Sequence, residues 1–133
     1  MRANEIIFEA VKQGNSIILT HPTYPKAFVE INLKSVWGEG EPEEQILPTL
    51  EMVFVPVKLR GKGVGKELIT LVLKYMGKHR IPFLVFDNFD HDFWDSVTHN
   101  FPNLVYWIKP RGKWAKSIGF LKRQPNVDVT SIF

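Results

Sequence analysis

The chain has 133 residues, enough for one folded core and too few for two. Its 44% hydrophobic and 23% charged content is that of a globular protein, and ten Phe with four Trp supply a core, a ligand cleft, or both. The absence of cysteine excludes disulfides, a thiol nucleophile and thiolate metal sites, and suits a reducing cytoplasm; the net charge of +3 suits an anionic ligand but is too small to indicate nucleic acid.

The opening "MRANEIIFEAVKQG" puts charges and amides where a secretory signal needs an apolar run, and no later run reaches bilayer length. A cytoplasmic protein without membrane attachment is expected. Asn4 reads as a helix N-cap, Ile6, Ile7, Ala10 and Val11 share one face, and Gly14 closes that helix. "SIILT" (16–20) is a β-branched strand stopped by the prolines of "HPTYP". Ala27, Val29, Ile31 and Leu33 alternate with Phe28, Glu30, Asn32 and Lys34, the pattern of a half-buried antiparallel strand.

"WGEGEPEEQ" (37–45) is an acidic turn, and "LEMVFVPVKL" (50–59) reads as a largely buried strand with Pro56 marking an edge or bulge. Val64, Leu68, Leu71, Val72 and Tyr75 recur at helical spacing until Gly77. Then come a strand at 82–86, a short helix at 90–100, a strand at 103–108, and a basic tail with one more strand and a loose end. Early strands followed by alternating strands and helices make an α/β or α+β domain around a mixed sheet.

"RGKGVGKEL" (60–68) is a glycine-rich cationic loop between a strand and a helix, which points to a bound phosphate. A Walker loop is excluded, because Arg60 stands where its first glycine belongs and Glu67 where the magnesium-binding hydroxyl belongs. A dinucleotide fingerprint is excluded because Gly61, Gly63 and Gly65 are spaced G-x-G-x-G. The pattern that fits is [RQ]-x-x-G-x-[GA], met by Arg60, Gly63 and Gly65, with Lys62 and Lys66 adding cationic reach. A turn leading into a surface helix is the plain alternative.

Over residues 50–100, and most closely in "VFVPVKLRGKGVGKELITLVLKYM", the chain resembles the GNAT superfamily of acetyl-CoA-dependent N-acetyltransferases. The resemblance implies a single domain over 1–133 with a mixed, mostly antiparallel sheet flanked by helices, splayed beside the central strand, and a short acceptor-side N-terminal part. It implies backbone hydrogen bonds from Val55 and Val57 to pantetheine, and a pyrophosphate on Arg60, Gly61, Lys62, Gly63, Val64, Gly65 and Lys66. Glu51 matches the family's base; a solvated glutamate at a strand end is the equal alternative.

The family commonly protonates the leaving thiolate with a tyrosine of an "fY" pair. Here "DFWDSV" has Phe93 and Trp94 at that place, and an indole is no acid. Tyr106 is the first choice as donor, with Tyr75, a histidine or water as alternatives. Asn88 corresponds to the asparagine preceding that helix, where it contacts pantetheine or substrate, or caps the helix. No metal-ligand spacing appears around His91 or His99, so no metal is expected.

The expected reaction is direct transfer of acetyl from acetyl-CoA to a primary amine, on a small molecule or a protein, in a ternary complex. The short N-terminal part suits a macromolecular acceptor or a homodimer that completes the site. A catalytically silent acyl-CoA-binding module is the second reading. A nucleic-acid-associated protein using the tail, where cations interleave with Trp107, Trp114 and Phe120, is the third and the one the sequence favours least.

Overall fold

A computed structural model describes residues 10–42, 44–87, 91–109 and 117–133. Among them run β1 (Ala10–Gln13), β2 (Ser16–Thr20), β3 (Phe28–Trp37), β4 (Gln45–Phe54), α1 (Val64–Lys78), β5 (Phe83–Asp87), α2 (His91–Asn100), β6 (Val105–Ile108) and β7 (Ile118–Lys122). The strands form one seven-stranded sheet in the order β1-β2-β3-β4-β5-β7-β6. All neighbours are antiparallel except β4 and β5. The fold is therefore α+β with a mixed, mostly antiparallel sheet, as expected.

Both helices cover one face. Leu84 and Phe86 of β5 join a core with Leu68, Ile69, Val72 and Met76 of α1 and Trp94 and Val97 of α2, whereas Val85 between them belongs to a second core on the opposite face. Each fully buried aliphatic side chain of α1 contributes about 1.5–3 kcal/mol relative to exposure. Tyr75 lies in the same interface, and burial raises the pKa of its hydroxyl. No helix among the described residues is long and apolar enough to cross a membrane.

Several expectations need correction. Residues 1–9, with most of the expected first helix, lie outside the described residues, but 10–13 are a strand. Gln13 faces Ser16 across a two-residue turn, and Gly14 at φ +61° is the first turn residue rather than a helix end. The brief helical periodicity lost to a Gly-Asn hairpin signal.

The central strand begins at Gln45 and ends at Phe54, so Pro56 does not lie in it but precedes a 3-10 turn, Val57–Leu59. Its second half is not buried: Glu51, Met52 and Phe54 are exposed because they face an open cleft. The main helix runs one residue past Gly77. It closes with Ile81 N–H on the Met76 carbonyl at 2.9 Å and Arg80 N–H on the Gly77 carbonyl at 3.4 Å, leaving Arg80 in the left-handed region at φ +54°.

The last strand is not peripheral. β7 inserts between β5 and β6, and Ile118, Phe120 and Leu121 are fully buried. The end beyond it is packed rather than loose, with Val127, Val129, Ile132 and Phe133 lying on the second core. Asp128 Oδ1 accepts both the Thr130 hydroxyl at 2.7 Å and the Thr130 amide at 3.0 Å, bonds that hold its carboxyl below the usual range. Phe120 and Trp107 point into packing, the latter edge-on to Phe86, so neither is free to stack on a base. Arg111, Lys113 and Trp114 lie outside the described residues.

Candidate functional site

β4 and β5 run parallel but share a single paired position, Thr49 beside Val85. Past that point they part, and a cleft of about 1090 Å³ opens between them, with the loop before α1 at one end and α2 along one side. Glu51 sits on this wall at a β-bulge: Glu30 faces Met52 and Ile31 faces Leu50, so Glu51 has no residue opposite. Bulges re-aim a side chain, and here the carboxylate lines the cleft.

A second irregularity in β3 has a proline as its cause. Asn32 faces Thr49 and Ser35 faces Leu47, so Leu33 and Lys34 both stand against Pro48, which has no N–H to give the ladder. Beyond this bulge Trp37 turns toward the second core and donates Nε1–H to Thr49 Oγ1 at 2.7 Å. Thr49, itself buried, passes its own hydroxyl hydrogen to the Leu47 carbonyl at 3.0 Å.

The glycine loop is built as a helix N-terminus. Gly61 at φ +77° and Gly63 at φ +80° hold left-handed conformations that side chains resist, and Gly63 caps α1. The first intrahelical bond is from Glu67 N–H to the Gly63 carbonyl at 3.1 Å. The amides of Val64, Gly65 and Lys66 precede it and have no helical carbonyl to bond, so the dipole's positive end is open to an anion. Arg60, Gly61, Gly63, Val64, Gly65 and Lys66 line the cleft together.

His21 buttresses this helix from below. Its Nδ1 accepts the Thr23 and Tyr24 amides, each at 3.1 Å, which puts the hydrogen on Nε2. That nitrogen faces the Glu67 carboxylate in the first turn of α1 at 3.5 Å. Sequence patterning gave no sign of the pair, because its members lie in separate elements.

Of the expected site residues, Val55 also lines the cleft, and its carbonyl accepts Arg60 Nε at 3.2 Å. Val57 and Lys62 are exposed and stand off the cleft wall; the Val57 carbonyl accepts the Arg60 amide at 3.2 Å. Asn88 lies outside the described residues.

Tyr106 is not brought to Glu51. It lies on the edge strand β6, against the opposite core, with its ring 6.4 Å from that of Phe120. Its strand is separated from the cleft by β7, which sequence order alone hid. Trp94 is buried, 7% exposed, with its ring stacked at 3.9 Å on Phe86.

Sequence reading missed the α2 wall. Asp92, Phe93, Trp94, Ser96, Val97 and Asn100 line the cleft, Trp94 and Val97 from the buried side of the helix, and the helical period of 91–100 would have grouped Phe93, Val97 and Asn100. Asp87, at the end of β5, also lines it.

The residues present fit a CoA-type ligand: unpaired amides with Arg60 and Lys66 at one end for phosphates, and a long, part-apolar furrow for an extended arm. No protein-family profile matches the sequence, and no curated protein matches it. The fold is similar to that of an acetyltransferase of the GNAT family from Staphylococcus aureus Mu50, with a TM-score of 0.52, 14% identity, and coverage of 82% of this chain and 67% of that one. It is also similar to a chain of the KacTA–DNA complex, with a TM-score of 0.55, 13% identity, and coverage of 84% of this chain and 70% of that one. At such identities the likeness is one of architecture, and the architecture is GNAT-like.

Proposed function

We propose that this chain is an N-acetyltransferase that moves an acetyl group from acetyl-CoA to a primary amine by direct attack. The observation that carries the reading is the strand pair β4–β5 parting beside the N-terminus of α1, whose glycine loop lines the same cleft. Arg60 and Lys66 supply charge for the pyrophosphate, and Glu51 accepts the proton of the attacking ammonium, directly or through water. The acceptor is an amine of a small molecule or a protein. A silent acyl-CoA-binding module is the second reading, favoured by an indole, Trp94, on the cleft wall and by Tyr106 packing on the opposite core.

Thermal unfolding with and without acetyl-CoA tests the site, because a ligand of the native state raises its melting temperature by mass action. The wild type should be stabilised and the double substitution Arg60→Ala, Gly63→Ala should not. Equal shifts in both, or none in the wild type, would sink the assignment. A panel of amines then separates enzyme from module: Glu51→Gln should lose turnover and keep CoA binding, whereas binding without any wild-type turnover supports the module.

A further inference from the structure

His21 is held rigidly just past the end of β2. Its backbone N–H donates to the Ala27 carbonyl at 2.9 Å, its Nδ1 accepts the Thr23 and Tyr24 amides, and the Tyr24 ring lies 5.1 Å from the imidazole. With Nδ1 occupied, the ring donates only through Nε2. The residue is 3% exposed, and among the described residues Nε2 has no hydrogen-bond acceptor; the Glu67 carboxylate oxygen that it faces is 3.5 Å away. A buried N–H without an acceptor is costly, which favours any movement that brings one closer. Glu67 lies in the first turn of α1, directly after Lys66, without lining the cleft itself. Helical side chains lean back toward the N-terminus, so a carboxylate here that nothing held would reach toward the amides and cations of the glycine loop.

We propose that His21 is a positioning residue for the anion end of the cleft, drawing the Glu67 carboxylate to its Nε2–H and keeping that charge off a bound phosphate. The assignment rests on the phosphate-binding part of the reading above and not on acetyl transfer. The Glu67 side chain is 59% exposed and can shift by the roughly half ångström that a hydrogen bond requires, whereas the imidazole is fixed by its own bonds. A phosphate seated on the amides of Val64, Gly65 and Lys66 repels the carboxylate, and the Nε2–H lies off the cleft, since neither His21 nor Glu67 lines it. Ligand and bond therefore strengthen one another, as linked equilibria must. Arg60 and Lys66 keep their charges for the ligand instead of spending them on a carboxylate of the same helix.

Calorimetric titration with CoA is the test. Glu67→Asp keeps the charge, is one methylene too short for Nε2, and alters only an exposed side chain; it should weaken CoA binding about threefold to tenfold. His21→Asn should weaken it as much, because its side-chain oxygen still serves the Thr23 and Tyr24 amides while its own amide falls short of Glu67. Glu67→Gln has no charge to hold back and should bind no more weakly than the wild type. Added to His21→Asn it should restore the affinity, a rescue that a role of His21 in stability alone does not produce. An affinity in Glu67→Asp equal to that of the wild type, or a loss in His21→Asn that persists with Glu67→Gln, overturns the role of His21 and leaves the reading of the cleft standing. A wild type that does not bind CoA overturns both.

Discussion

The Phe93 ring of α2 lies directly on Gly65 of the glycine loop: a β-carbon at 65 would sit 2.7 Å from Phe93 Cε2. The two helices thus meet at the mouth of the cleft through a residue that has no side chain. Gly65 serves the packing of α2 as well as the open helix end.

Gly65→Ala should therefore destabilise the fold by about 1–3 kcal/mol, the range for overpacking. Phe93→Leu in the same chain should recover most of the loss. A thermal-melt double-mutant cycle on the two positions checks this, and additive effects would mean that the ring and the loop are not coupled.

Trp94 is held between Phe86, stacked at 3.9 Å and 15°, and Phe93, edge-on at 4.9 Å. Replacing it with alanine should cost about 3–5 kcal/mol in denaturant unfolding.

Arg80 occupies the left-handed position that closes α1, where glycine is the unstrained residue. Arg80→Gly should raise stability by about 1 kcal/mol, and Arg80→Val should lower it. Chemical denaturation of the three proteins reads the order directly, and a glycine variant less stable than the wild type would contradict the strain.

Some of this was legible in the sequence and some was not, for physical reasons. α1 is long and strongly periodic, so its buried stripe from Val64 to Tyr75 appears in the spacing, and the glycine loop is contiguous. β1 was misread because four residues before a Gly-Asn turn fit a helical face as well as a strand. The exposed half of β4 carries apolar residues such as Met52 and Phe54, and composition does not say whether such a side chain meets a core or an open cleft. Tyr106 depended on strand order, and β7 enters the sheet between β5 and β6 although no local pattern in the sequence declares its neighbours.

Trp37 links the cleft to the last residue of the chain. Trp37 is among the residues that line the cleft, its indole bonds Thr49, and its ring lies 6.4 Å from that of Phe133, edge-on. The packing of Phe133 is thus tied through Trp37 to Thr49, the position at which β4 and β5 are paired before they part.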